Sequence, residues 1–255
     1  MARPTFMNYR LTIQYDGTEF SGWQSQEGQR TVQGELVRVL TLLEGEEVSV
    51  HGAGRTDAGV HAEAQVASAR LKREMEPRRL LAALNGNLAR DLRVLDAMVA
   101  PDDFHARVEA KGKTYCYRVF NESFASPFWS RYALHESRPL DTGRMQKAAR
   151  LFLGVHDWTA FSAAQADVKT RVRHVTALEV SERQSARGRG RLVEIHASAG
   201  GFLRYMVRSI AGTLLASGRG EIDEELILRA IETGERPHAV VTAPAHGLTL
   251  LEVHY

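Results

Sequence analysis

The sequence holds a single cysteine, Cys116, in 255 residues. An internal disulfide is therefore impossible, and neither a redox dithiol nor a multi-cysteine zinc site can be assembled within one chain. Long apolar runs are also missing. No stretch approaches the roughly 18 to 20 residues that cross a bilayer, and Met1 to Arg10 lacks the charged-then-apolar layout of a secretory leader. The expectation is a cytoplasmic protein with no membrane partner. The ten histidines are scattered, with no two within five residues of each other, so the i, i+4 ligand pair of helical metal sites does not occur. Phosphate-loop spacing is absent too, which disfavours nucleoside triphosphates.

What is abundant is arginine. Net charge is only +2, yet 28 of the 33 basic residues are arginine, whose planar fork matches phosphate oxygens best. Between 183 and 208 the chain carries Arg183, Arg187, Arg189, Arg191, Arg204 and Arg208 against Glu194 alone, and Glu221, Asp223, Glu224 and Glu225 follow. This asymmetry points to a local basic face for an anionic polymer.

Periodicity gives the organisation. Tyr9 to Tyr15 alternates, with Leu11, Ile13 and Tyr15 on one side, and reads as a strand ending at Asp16-Gly17. Thr31 is an N-cap for a helix bearing Val32, Leu36, Val39, Leu40 and Leu43, and Gly45 stops it. Strands at Val48 to His51 and Ala64 to Ala69, a helix from Pro77 to Leu84 stopped at Asn85-Gly86, and a strand at Leu92 to Val99 complete a βαββαβ order. The second half repeats the scheme with one extra helix. It has a strand at Lys113 to Phe120, a helix at Asp141 to Phe152, strands at Val172 to Val180 and Leu192 to Ala197, helices at Phe202 to Ala216 and Glu224 to Glu232, and a strand at Leu248 to Val253. The expected fold class is α+β, with ferredoxin-like (RRM-like) halves at 1–107 and 108–255 and a cleft between them.

One loop concentrates chemistry. In His51-Gly-Ala-Gly-Arg-Thr-Asp-Ala-Gly-Val-His61, glycines surround Arg55 and Asp57, so both side chains can project from a tight turn that a bulky ligand approaches closely. On spacing alone, an ordinary turn with Asp57 as its local cap is the favoured reading. His51 and His61 bracket the loop, but with Asp57 they supply no third strong ligand, and no metal is expected.

Gly54-Arg55-Thr56-Asp57-Ala58-Gly59-Val60-His61-Ala62 resembles the catalytic motif of the tRNA pseudouridine synthase A family. Further blocks agree in order: Tyr15-Asp16-Gly17 with Phe20-Ser21-Gly22-Trp23-Gln24; Thr31-Val32-Gln33 with Glu35; Phe104-His105-Ala106-Arg107 with Lys113, Tyr115 and Tyr117; Phe161-Ser162-Ala163-Ala164; Lys169-Thr170 with Arg173; and Gly201-Phe202-Leu203 with Met206-Val207-Arg208. The resemblance spans nearly the whole chain. It implies two ferredoxin-like halves in one extended, mostly antiparallel sheet with helices on one face, a homodimer, and action on uridines 38, 39 and 40 in the anticodon stem-loop of tRNA. It implies neither metal nor cofactor.

The same resemblance assigns roles. Asp57 is the nucleophile, since moving the glycosidic link from N1 to C5 of one uracil adds and oxidises nothing and suits a carboxylate attacking C1′ or C6. A desolvated carboxylate needs a positive partner to stay ionised, and Arg208 is the candidate, with a phosphate contact as its other reading. Tyr115 is the platform under a flipped base, although β-propensity alone makes it a half-buried strand residue. Arg55, two residues before Asp57, is a wedge or clamp on the vacated stack or nearby phosphates. Phe202 lines the uracil pocket or belongs to the core, while Tyr117, Trp23 and Trp158 read as packing. Cys116 is a departure from the family pattern and reads as a small core residue. Two rivals remain: a catalytically silent RNA-binding protein in which Asp57 is structural, and a metal-dependent nuclease, which the lack of clustered carboxylates disfavours.

Overall fold

The computed structural model describes residues 6–164, 168–185 and 189–255; Arg187 of the basic run lies outside them. The described chain is a mixed α/β fold with five α-helices and ten strands, and the pairings of β1 to β9 are antiparallel except for one parallel contact, β5 with β6. It groups into two compact units, Met1–Lys111 with Leu250–Tyr255, and Gly112–Thr249. The C-terminal residues thus return to the first unit. Tyr255 explains why: its hydroxyl donates to the Ala106 carbonyl at 2.7 Å, its ring meets Phe104 at 5.4 Å, and the Arg10 guanidinium lies over it at 4.4 Å.

The first unit contains β1 (Met7–Tyr15), α1 (Val32–Glu44), β2 (Val50–Gly52), β3 (His61–Leu71), α2 (Pro77–Asn87) and β4 (Leu92–Ala100). The strands lie in the order β4-β1-β3-β2, the arrangement of a split βαβ unit. The alternation in β1 is realised, with Tyr9, Leu11, Ile13 and Tyr15 all buried. Thr31 Oγ1 accepts from Gly34 N, and Gly45 closes α1 at φ 84° with its N–H on Thr41 O. Helix α2 runs through Asn85 and Gly86 to Asn87 instead of stopping there. Asn85 exchanges two hydrogen bonds with the backbone of Val94, so its amide serves β4 and does not break the helix.

Between Ile13 and Tyr15 the β1–β3 register shifts, from Gln65 opposite Ile13 to Ala62 opposite Tyr15. Two steps along β1 match three along β3, so β3 carries a bulge next to the loop of interest. Bulges sharpen twist and re-aim neighbouring side chains.

The second unit contains β5 (Gly112–Asn121), β6 (Leu134–Glu136), α3 (Thr142–Leu151), β7 (Gly154–Asp157), β8 (Val172–Gln184), β9 (Arg191–Ala199), α4 (Met206–Gly218) and α5 (Glu224–Thr233). The last strand, β10 (Leu248–His254), begins in it. Its strands order β5-β9-β8-β7, repeating the β1-β3-β2 core of the first unit. Asp141 caps α3 through Arg144 N, as its position in the sequence suggests. Trp158, Phe152 and Phe161 form a fully buried aromatic cluster, with centroids 5.1 to 6.2 Å apart. Helix α4 begins at Met206, four residues after the sequence pattern starts, because Tyr205 sits in the left-handed region at φ 66° and cannot belong to a right-handed helix. No helix among the described residues is long and apolar enough to cross a membrane.

Candidate active site

The loop from Gly52 to Val60 is held from beneath by the end of β1 and the segment that follows it. Thr56 is buried, leaving Arg55 exposed and Asp57 half-buried beside it. Tyr15 Oη and Thr56 Oγ1 are 2.8 Å apart, Trp23 N donates to Thr56 O at 3.0 Å, and Gln65 Nε2 donates to Gly54 O at 3.1 Å. Val60 N donates to Asp57 O at 3.1 Å, closing the turn.

Two glycines make this close approach possible. At Gly17 an added Cβ would collide with the Val60 carbonyl. At Gly22, with φ +88°, it would lie 2.7 Å from Thr56 O and 3.1 Å from Ala58 N. The backbones on either side of Asp57 therefore run against glycine faces, and a side chain in either place would push the carboxylate away.

The histidines that bracket the loop are used separately. Buried His61 accepts from Gly17 N through Nδ1 at 2.9 Å and lies 3.2 Å from Asp16 Oδ1, which fixes the preceding turn. His51 instead stacks on His105 at 4.8 Å. Burial pushes the Tyr15 phenol up to about 12, partly offset by its hydrogen bonds to Thr56 and Gln65, so this brace stays protonated at neutral pH.

The other candidate residues lie in the second unit. Tyr115, on β5, is 7% exposed, and its ring meets that of half-buried Phe202 edge to face, with centroids 5.4 Å apart at 88°. The structure thus brings these two rings together. Tyr117, two residues on, is fully buried with its hydroxyl on Pro244 O at 2.9 Å, and burial pushes its pKa up, as suits a packing residue.

Arg208, in the first turn of α4, donates from Nε to Ala243 O at 2.7 Å, which fixes its stem. Its guanidinium lies 5.0 Å from the Tyr205 ring centroid, and that of Arg204 lies 4.8 Å from the same ring. Tyr205 is the residue that sequence reasoning misses. It is the only non-glycine residue with positive φ among those described, and a tyrosine gives no local signal for that conformation.

Arg183 and Arg191 pair with Glu194 and Glu182, and Arg189 lies over Phe124, whereas Arg204 and Arg208 share Tyr205. Cys116 is buried on β5 with Glu194 and His196 across on β9, and their ligand atoms lie within 4.8 Å of one another. Glu194 is already engaged by Arg118 at 3.0 Å and Arg183 at 3.6 Å, two positive charges that oppose a cation there.

The sequence matches the model of the tRNA pseudouridine synthase family over residues 11–108 and 148–255, segments that include Arg55, Asp57, Phe202 and Arg208, with Tyr115 between them. The tRNA pseudouridine synthase A of Bacillus sp. (strain KSM-64) is 39% identical over 244 residues, covering 95% of this chain and 97% of the relative. The protein of that name from Latilactobacillus sakei subsp. sakei (strain 23K) is 42% identical over 248 residues, covering 97% and 98%. The one from Acetivibrio thermocellus is 41% identical over 248 residues, covering 97% and 99%. On both the matched segments and this identity over nearly full length, the chain belongs to the tRNA pseudouridine synthase family.

Proposed function

We propose that this chain isomerises uridine to pseudouridine at positions 38, 39 and 40 of the tRNA anticodon stem-loop, with Asp57 as the nucleophile. The observation that supports this most is the bracing of the Asp57 loop: a half-buried carboxylate on a turn pinned by Tyr15, Trp23 and Gln65 and closed against two glycines. A nucleophile gains most from being fixed before its substrate arrives.

The reaction balances without any added group. If the carboxylate attacks C1′, the N1–C1′ bond breaks, uracil departs with the electron pair, rotates, and rejoins through C5 as the ester to Asp57 is released. If it attacks C6, a C6–O bond forms and the N1–C1′ bond breaks, the base rotates and rejoins C1′ through C5, and the C6–O bond then breaks to release the Asp57 carboxylate. In both routes the C5 proton leaves to a base or water and N1 takes one up, so the sum is an isomerisation with no cofactor.

In this reading Tyr115 is the platform for the extruded uracil. Stacking contributes about 1 to 3 kcal/mol per base, against a few kcal/mol for flipping. Phe202 lines the pocket at that ring's edge. Arg208 offsets the carboxylate's charge so that it stays ionised, and Arg55 holds the vacated stack or adjacent phosphates. The enzyme acts in the cytoplasm as a homodimer, which light scattering checks.

The deciding experiment compares the wild-type protein with Asp57→Ala on an unmodified tRNA transcript, with pseudouridine measured by mass spectrometry and its position mapped. The expected result is modification at 38 to 40 by the wild type, background for the variant, and RNA affinity largely retained. Unchanged pseudouridine formation by Asp57→Ala would leave the carboxylate a structural role only.

A further inference from the structure

We propose that a cavity in the first unit, lined by His51, Ser68, Arg70 and His105, is a phosphate-binding contact for RNA that Asp57 does not line. It rests on the tRNA-modifying reading above and adds a second point of attachment for that substrate.

The cavity has a volume of about 500 Å³, within the range of sites that hold nucleotide-sized ligands. Its walls are built in place. Asn8 donates both amide hydrogens, to Pro101 O at 2.8 Å and Phe104 O at 2.9 Å, while Ala106 N donates to Ser68 Oγ at 3.2 Å. Tyr255 holds Ala106 from its carbonyl side. These bonds clamp the segment carrying His105 onto β1 and β3, and the His105 ring stacks on His51 at 4.8 Å and 30°. Both imidazoles are thus presented in a fixed geometry, which lowers the entropic cost of binding.

Arg70 completes the set. One of its N–H groups is on the Asp102 carbonyl, and no carboxylate among the described residues forms an ion pair with it, or with His51 or His105. Two imidazoles and a guanidinium therefore line one cavity with no carboxylate among the described residues in ion-pair contact with them. Burial first, then His105 and Arg70, hold the His51 pKa below its ordinary value. A phosphate brings negative charge against these groups, and binding it favours the charged form of His51, so affinity rises as pH falls. Glu47 and Asp103 also line the cavity; they are exposed, as His51 and Arg70 are, so water and salt screen attraction and opposition alike, and the phosphate is held through direct contact with the guanidinium and imidazoles.

The test measures tRNA binding by fluorescence anisotropy across a salt series for the wild type, Arg70→Gln, His51→Gln and, as a control, Arg229→Gln on α5. Arg70→Gln is expected to bind about tenfold more weakly and to reduce the slope of log affinity against log salt by about 1. His51→Gln flattens the gain in affinity between pH 8 and pH 6, and Arg229→Gln changes nothing. In the wild type, the NMR signal of His51 moves toward the protonated form on adding an RNA hairpin that lacks uridine, and does not move with millimolar inorganic phosphate or UMP. Unchanged affinity and salt slope in a folded Arg70→Gln overturn the site. A response to inorganic phosphate or UMP with unaltered RNA affinity in the variants overturns RNA as its ligand. The hairpin carries no reactive base and the readout is binding, so the outcome is independent of whether Asp57→Ala abolishes turnover.

Discussion

The hydroxyls of Tyr15 and Thr56 lie 2.8 Å apart, both buried, so that one hydrogen bond ties the end of β1 to the residue preceding Asp57. The two residues are 41 positions apart in the chain, and this bond joins the first strand directly to the Asp57 loop. Tyr15→Phe removes it while keeping the ring against Phe20 and Trp23. The expected loss of stability is about 1 to 2 kcal/mol, since Thr56 Oγ1 is left buried without that partner. Turnover should fall more than substrate affinity, because the loop loosens without losing any residue that holds RNA. Urea titration and single-turnover kinetics check the two halves; a full loss of RNA binding would show that the bond does something else.

The same tyrosine makes stability sensitive to alkali. Burial raises the Tyr15 and Tyr255 phenols to about 12, and raises Tyr117 as well. In the unfolded chain these groups ionise near pH 10. Above that pH the unfolded state sheds phenolic protons that the folded state keeps, so stability is intact below about pH 10 and declines from there to about pH 12. For Tyr15 the loss by pH 12 is on the order of 2 kcal/mol. Urea titrations at neutral pH and across the alkaline range should show this decline, shallower in Tyr15→Phe. Equal slopes in the two proteins would mean that Tyr15 is not the group responsible.

Two glycines with similar φ should respond very differently to alanine. Gly22, at φ +88°, faces Thr56 O at 2.7 Å, whereas Gly45, at φ +84°, has open space where a Cβ would be built. Gly45→Ala meets only the left-handed backbone cost, about 1 to 2 kcal/mol, and should leave activity intact. Gly22→Ala adds a collision with backbone that cannot swing aside, so it should cost more than Gly45→Ala and remove most activity by displacing Asp57. Melting temperatures and initial rates for the pair separate strain from displacement.

The contrast between these glycines also marks what a sequence can reveal. The βαββαβ order of the first unit is legible because its signals are local: alternation in β1, Thr31 and Gly45 at the two ends of α1, and Pro77 opening α2. Asn85-Gly86 misleads, because an asparagine that looks like a stop is spent on the Val94 backbone across the fold. β6 and β7 are three and four residues long and mostly not buried, too short for a period to show. The glycine-rich loop exposes Asp57 to recognition, since glycines around charged residues form a local pattern. Its braces do not announce themselves, because Tyr15, Trp23 and Gln65 act through contacts that only the folded sheet and its bulge create. The start of α4 is misread for the same reason, as nothing near Tyr205 forecasts a left-handed tyrosine.

That tyrosine gives the sharpest test of the second unit. At φ 66° and ψ −1° it occupies a conformation costing about 1 to 2 kcal/mol for a residue with a Cβ, and strain of this kind persists where surrounding structure requires it. The ring carries both the Arg204 and Arg208 guanidiniums, and its hydroxyl lies 3.1 Å from Arg204 Nη2. Tyr205→Asn places a residue that tolerates the left-handed region in the same spot and deletes the platform. Stability should stay within about 1 kcal/mol of the wild type, while kcat/KM falls about tenfold through the loss of two cation–π contacts of about 0.5 to 1 kcal/mol each. Tyr205→Phe keeps the ring and gives up only the hydroxyl contact, so its activity should remain near that of the wild type. If Phe and Asn at this position prove equally active, the ring does not position the arginines; if Asn unfolds the protein, the tyrosine is there for packing alone.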